Sequence, residues 1–279
     1  MSRSYDALKK VERENPPYKV VGIEEVEMPS AMPVDGRKIP VADPAASPGP
    51  DSIALDTLLE RCSPNTWTPN AKTMLFFGSG EEVRATEEFR TLRSRLQQVR
   101  DKHSLRRILV TSAVPKEGRS FVAANLAQVL ALEPGCRVLL VDADLRNPSL
   151  HSSLGTSATP GFSEYVLGET DELGIIQRGT MANFFFIASG RPASGRPELV
   201  SSRLKVLLDC LEPLFDWIII DAPAALPTSD SGLMANVCDG ILMVVRSNST
   251  PFDLVRKARQ KLPDDRLIGV VLNEIPAGV

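Results

Sequence analysis

Cysteine, tyrosine and tryptophan are scarce in this 279-residue chain, at four, three and two copies. No apolar run approaches the roughly 20 residues that cross a bilayer. Cys62, Cys136, Cys210 and Cys238 are widely spaced and stand mostly in apolar surroundings. That spacing excludes a disulfide framework and a zinc pattern, and it fits buried structural thiols. The N-terminus, MSRSYDALKKVERENPP, lacks the apolar core of a secretory signal. The expected location is therefore cytoplasmic, with any link to a membrane made through a partner. No strong positive charge is present either. A net charge of −3 and a pI of about 5.6 argue against a general nucleic-acid binder. There is no internal repeat.

What the chain does have is apolar content, 43 % of it hydrophobic, enough for a full core. A length of 279 residues permits one large α/β domain or two small ones. Residues 1–70 hold ten of the 22 prolines, and VADPAASPGPDS (41–52) reads as linker. The expectation is a flexible arm over 1–72, in which Ser4–Glu14 forms a short helix only when bound, followed by one domain over 73–279. Within Glu81–Asp101, Phe89, Leu92, Leu96 and Val99 recur at helical spacing and predict an amphipathic helix.

From residue 106 onward, strands and helices alternate. Continuous apolar runs at Arg106–Ala113, Arg137–Asp144, Phe184–Ala188, Trp217–Asp221, Ile241–Val245 and Leu267–Leu272 predict strands covered on both faces. Helical patterns at Phe121–Leu132, Glu198–Leu211, Ser229–Asn236 and Phe252–Lys261 lie between them. This alternation predicts an open, mostly parallel sheet whose ligand site lies outside the carboxyl ends of the strands.

One strand-to-helix junction carries chemistry. In register with GxxxxGK[ST], residues 113–120 read Ala113-Val114-Pro115-Lys116-Glu117-Gly118-Arg119-Ser120. Gly118 lets the backbone turn close to a phosphate, the helix from Phe121 offers free N–H groups, and the Ser120 hydroxyl is placed for Mg²⁺. The usual lysine is Arg119, and only one glycine remains. Taken alone, the segment is equally an ordinary strand-to-helix turn. Two acidic segments change the balance. Asp142 and Asp144 lie two apart at a strand end, able to hold Mg²⁺ and orient a nucleophile or to cap the next turn. Asp221 ends the strand WIIID, where a Walker-B acid sits. Three carboxylates beside a phosphate loop favour an ATP and Mg²⁺ site.

SAVPKEGRSFVAANLA, VLLVDADLRNPSLH, WIIIDAPAALPTSDSGLMA, EEFRTLRSRL, SGRPASGRPELVSS and the tail VVRSNST…IGVVLN stand in one order and spacing. In these segments the chain resembles the bacterial tyrosine kinases of capsule and exopolysaccharide synthesis, a branch of the P-loop ATPases related to MinD and ParA. The resemblance spans about residues 75–275. It implies a P-loop α/β fold and transfer of the ATP γ-phosphate to tyrosine. Nucleotide contacts would come from Val114 to Phe121, with Pro115, Lys116 and Glu117 inside the loop, and from Asn273 facing the adenine. By the same resemblance Arg119 contacts the β/γ-phosphates, Ser120, Asp142 and Asp221 hold Mg²⁺, and Asp144 activates the tyrosine hydroxyl. Glu87, Arg90 and Arg93 match a motif through which family members form rings; their other reading is a solvated face with i,i+3 ion pairs. A membrane polysaccharide copolymerase is the implied partner and recruits the chain to the inner face of the membrane.

The chain departs from that family at several points. Arg119 is larger and planar where an ammonium is expected, and losing a preorganised charge at a transferring phosphoryl group costs several kcal/mol of barrier. Lys116 stands where the family often has glycine and offers a partial substitute for the lost lysine. Arg196 and Ala224 replace an asparagine and a proline. No tyrosine cluster precedes Val279, so Tyr5 and Tyr18 in the arm become the candidate phosphorylation sites, ahead of Tyr165 in EYVLGE. Two functions follow: an active kinase, or a nucleotide-binding pseudokinase that regulates polysaccharide export by conformation. A MinD-like partitioning ATPase is disfavoured, since the early lysine of that loop falls at Val114.

Overall fold

The computed structural model describes residues 55–62, 66–71, 73–76, 83–179, 181–192 and 197–273. After helices α1 (Leu55–Arg61) and α2 (Val83–Arg100), the chain enters β1 (Arg107–Ser112), α3 (Arg119–Ala131) and β2 (Val138–Asp142). Two short helices follow, α4 (Leu150–Leu154) and α5 (Phe162–Val166), then β3 (Ile176–Arg178) and β4 (Phe184–Ile187). The rest is α6 (Pro197–Leu211), β5 (Trp217–Asp221), α7 (Asp230–Ala235), β6 (Gly240–Arg246), α8 (Phe252–Arg259) and β7 (Leu267–Asn273). The predicted strands and longer helices all form, Trp217–Asp221 with the expected ends and the others with one or both ends shifted by a residue or two.

The seven strands make one sheet in the order β3-β4-β2-β5-β1-β6-β7. All neighbours pair in parallel except β3, which runs antiparallel to β4. β3 was not expected: three residues are too few to leave a period in sequence. Side chains alternate across the strands into two cores. Leu109, Leu139, Val141, Ile218 and Ile220 face α5 and α6; Ile108, Val110, Leu140 and Ile219 face α2 and α3. α3 is buried on nearly every side, which is why its sequence, RSFVAANLAQVLA, carries almost no charge.

The predicted arm over 1–72 needs correction at its end. Leu58 on α1 is wholly buried in one core, and Trp67 lies in the other, edge-on to Phe184 and Phe186 with ring centroids 5.6 and 6.2 Å apart. Burying one such ring stabilises the fold by about 2–3 kcal/mol. The described part of the segment from residue 55 therefore belongs to the body. Asn125 of α3 fastens the next stretch, accepting the Leu75 N–H and donating to the Thr73 carbonyl, each at 2.8 Å.

Candidate nucleotide-binding site

β1 lies between β5 and β6, so the loop that leaves it opens onto the carboxyl ends of three central strands. Two residues of this loop have positive φ, Lys116 at 70° and Gly118 at 88°. Gly118 is required twice over, since a Cβ there would also lie 1.9 Å from Asn273 Nδ2. Lys116 bears the conformation as an L-residue, at a cost of about 1 kcal/mol. No side chain caps the start of α3, so its first N–H groups and its positive dipole end remain for an anion.

Glu117 and Val114, expected among the nucleotide contacts, are bonded to each other within the loop. The Glu117 carboxylate is buried inside the loop, where Oε2 accepts the Val114 N–H at 2.8 Å. Its other oxygen accepts the Arg246 N–H at 3.2 Å and the Thr250 hydroxyl. Asn273 Nδ2 donates to the Glu117 carbonyl at 2.9 Å. Loop, β6–α8 turn and the end of β7 are thereby tied together, and Asn273 braces the phosphate loop from behind. Pro115, Lys116, Gly118, Arg119, Ser120 and Phe121 line a cleft of about 480 Å³.

The acids separate into different roles. Asp142 and Asp221 stand opposite each other on adjacent strands. Asp142 Oδ2 accepts the Ser149 and Leu150 N–H groups at 3.3 and 3.2 Å, and Oδ1 the Asp144 N–H at 3.3 Å. Its direct contacts therefore cap α4, the second of the two readings the spacing allowed. Burial, then the charge of Asp221, pushes its carboxyl well above the ordinary range. Asp144 accepts the Arg146 and Asn147 N–H groups on Oδ1 and an ion pair from Arg119 Nη2 on Oδ2. Arg119 itself is buried, and its Nε lies 3.5 Å from Asp221 Oδ1.

Asp221 is the anomaly. It is fully buried, and among the described residues neither carboxylate oxygen closes a hydrogen bond. Burial raises its pKa to about 6, eased by Arg119 and the nearby Ser120 hydroxyl and worsened by Asp144. A buried carboxylate whose ion pair with Arg119 is 3.5 Å long costs free energy that a closer cation would offset. Mg²⁺ takes one or two carboxylates and completes its shell with phosphate oxygens and water. Asp221 and the Ser120 hydroxyl at the start of α3 fit such an ion. Among the described residues no three His, Cys, Asp or Glu side chains form a metal cage.

No family model matches the chain. Tyrosine-protein kinase YwqD of Bacillus subtilis (strain 168) is 31% identical over 191 residues, covering 67% of this chain and 80% of that protein. This chain belongs to the bacterial tyrosine-protein kinase family. The succinoglycan biosynthesis transport protein ExoP of Rhizobium meliloti (strain 1021) is 31% identical over 194 residues, 67% of this chain but only 25% of ExoP. Among solved structures, the kinase domain of the Escherichia coli tyrosine kinase ETK superposes with a TM-score of 0.66 at 29% identity, covering 70% of this chain and 77% of that one. The fold is thus the P-loop α/β fold that the sequence pattern predicted.

In this member of the kinase family the remaining predicted residues fall into two groups. Glu87 and Arg90 pair with each other on the exposed face of α2. Arg93 instead folds inward, 2.7 Å from Glu133 and donating to the Val129 carbonyl at 3.3 Å, so it ties α2 to α3. Tyr165 is buried with Arg203 stacked 4.6 Å from its ring centroid, and burial lifts its phenol to about 12. Its hydroxyl is buried in the folded protein. Tyr5, Tyr18 and Arg196 lie outside the described residues. Sequence reasoning gave no role to Arg146, Asn147 and Thr228, which line the far wall of the cleft. They stood inside the quoted motifs, and only the fold shows that RNP and PTS converge. The Arg146 Nε is held by Asp230 at 3.1 Å.

Proposed function

We propose that this chain binds ATP with Mg²⁺ at the carboxyl ends of β1 and β5 and transfers the γ-phosphate to tyrosine, regulating capsule or exopolysaccharide synthesis and export. The observation that carries the reading is the fully buried carboxylate of Asp221, which closes no short hydrogen bond and whose ion pair with Arg119 is 3.5 Å long, beside the uncapped start of α3. In this reading the N–H groups from Gly118 to Phe121 hold the phosphates, with Lys116 adding charge at the rim. Arg119 supplies the cation for the β/γ-phosphates. Ser120 and Asp221 hold Mg²⁺, with the charge of Asp142 behind them. When bound, Mg²⁺ neutralises charge on the transferring phosphoryl group. Asp144, once Arg119 turns to the phosphates, accepts the proton of the tyrosine hydroxyl. Asn273 and Glu117 keep the loop in shape.

The acceptors proposed are Tyr5 and Tyr18 or tyrosines of other proteins. Ring assembly through Glu87 and Arg90, and recruitment to the inner face of the membrane by a polysaccharide copolymerase, complete the reading; no nucleic acid takes part. Its support is the family and a relative named for succinoglycan transport. No helix of the described residues is long and apolar enough to cross a membrane.

A second reading has its own observation. Arg119 is engaged with Asp144 and Asp221 rather than free over the loop, which favours a pseudokinase that binds nucleotide and regulates by conformation. One assay separates the two. Wild type and Arg119→Lys are incubated with Mg-ATP, and phosphate is located by mass spectrometry beside a titration with labelled ADP. Phosphotyrosine in wild type supports the kinase. Binding without transfer, restored by Arg119→Lys, supports the pseudokinase. No binding by either protein rejects both.

A further inference from the structure

The residue in the lysine position is not simply a larger lysine. Arginine keeps its charge at every accessible pH and presents donors from a planar fork, so one side chain can face two carboxylates at once. Arg119 does this: Nη2 pairs with Asp144 while Nε lies 3.5 Å from Asp221. Both acids are buried, and so is the guanidinium. It stands beside the carboxylate that, in the nucleotide-binding reading, meets the metal ion. The geometry points to Arg119 as a built-in counter-cation that shuts free divalent metal out of the site until the phosphates of a nucleotide draw the guanidinium away from Asp144 and Asp221.

The physical argument is competition. Asp221 gains from one positive neighbour, and two cations cannot share its oxygens at close range without strong repulsion. A hydrated divalent ion must also give up water to reach a buried carboxylate, which it does reluctantly. Without a ligand the guanidinium is already in place and wins. A polyphosphate offers the fork a better partner, several oxygens with more charge, directly above the start of α3. Once the guanidinium swings to it, the acids are exposed to the metal that the same phosphates help to bind. Metal entry is then ordered behind nucleotide. The exclusion of free metal stands on the geometry alone; the release step rests on the nucleotide-binding reading above.

The test uses the full chain and Mn²⁺ as a paramagnetic probe, with free and bound metal read by electron paramagnetic resonance in the absence of nucleotide. Arg119→Gln is expected to bind Mn²⁺ about tenfold more tightly than wild type or better, and Arg119→Gln/Asp221→Asn to lose that gain. Arg119→Lys, with one compact charge, should fall between and carries the test if the glutamine variant does not give a wild-type circular dichroism spectrum. Equal Mn²⁺ binding by wild type and the Arg119 variants overturns the proposal, as does binding by none of them. Adding ADP to wild type should bring Mn²⁺ binding up to the level of Arg119→Gln. If the variants bind Mn²⁺ and ADP changes nothing in wild type, exclusion stands and release by nucleotide is overturned.

Discussion

The two ends of the central sheet treat acidic side chains in opposite ways, half-buried or exposed and hydrogen-bonded at one, fully buried at the other. At the amino ends of the strands the acids are partnered. Asp239 Oδ2 accepts the backbone N–H groups of Arg106 and Arg107, both at 2.8 Å, and Asp216 accepts that of Arg137 at 2.8 Å. Arg107 reaches Asp209 at 2.9 Å and also Glu212. At the carboxyl ends Asp221 has Arg119 Nε at 3.5 Å and the Ser120 hydroxyl nearby but no backbone donor among the described residues, and Asp142 stands beside it on the next strand. The same fold that gives these acids backbone and side-chain donors at its lower edge leaves Asp221, at its upper edge, with a 3.5 Å ion pair to Arg119. Stability alone would not keep such a group; a ligand that meets it would.

The largest expected effect breaks this comparison directly. Asp221→Asn should reduce phosphoryl transfer about 10²–10³-fold, the scale of losing one preorganised electrostatic contact, while raising stability by about 1–3 kcal/mol because the cost of burying the carboxylate charge outweighs its ion pair with Arg119. Asp239→Ala should do the reverse. It leaves two backbone N–H groups without an acceptor and should cost about 1–3 kcal/mol, with nucleotide affinity intact. Urea unfolding and titration with labelled ADP and Mg²⁺ read both. An Asp221→Asn protein that is less stable than wild type and binds Mg-nucleotide equally well would remove the distinction between the two ends.

A smaller effect sharpens it. Asp221 titrates near pH 6 when folded, above the ordinary aspartate value of 3.8. The folded protein therefore binds more protons than the unfolded chain in that interval, and the contribution of this group to stability rises as pH falls through about 6 and is complete below the unfolded value. Asp142, also raised, acts in the same sense. Asp209 at the opposite end behaves the other way. Burial pushes it up, but hydrogen bonds from Lys205 and Arg107 outweigh this and hold it low, so its contribution is lost on acidification. Comparing the pH dependence of unfolding for wild type and Asp221→Asn isolates the upper end. Wild type should gain stability relative to the variant between pH 6 and 4; parallel curves would show that Asp221 is not strained in its charged form.

Why the sheet was legible and part of the site was not follows from what each leaves in sequence. Runs such as Val138–Asp142 and Trp217–Asp221 are apolar because both faces are covered, so the parallel sheet could be read from them. The loop, Ser120 and Asp221 could be placed at the strand ends from their register in sequence. Other placements depend on residues distant in sequence. Asp142 is claimed by the start of α4, Glu117 by Thr250 and the Arg246 N–H, and Arg93 by Glu133. Proline content hid the anchoring of Leu58 and Trp67, because a few apolar residues in a polar stretch have no period. The motif gave Arg119 a role but could not say which way the guanidinium turns, since phosphate above and carboxylates below are equally good partners for a planar cation.

The smallest expected effect concerns backbone strain, which also divides the two ends. Gly135, in the turn before β2 at the lower end, has φ 78°, and a Cβ added there would meet nothing within 4 Å among the described residues. Gly135→Ala should therefore cost about 1 kcal/mol through the backbone alone, with no change in ligand affinity. At the upper end the corresponding conformation is held by Lys116, φ 70°, an exposed residue lining the cleft. Lys116→Gly relieves about 1 kcal/mol of strain, but glycine frees the unfolded chain by a similar amount, so stability should change by less than about 0.5 kcal/mol. Affinity for ADP should fall a few-fold, since one exposed cation near a phosphate is worth about 0.5–1 kcal/mol. Screening gives the control: the loss should shrink as salt is raised. If Lys116→Gly binds ADP as tightly as wild type at every salt concentration, the lysine takes no part in holding phosphate, and the strain at the upper end serves nothing that Gly135 does not already achieve without cost at the lower.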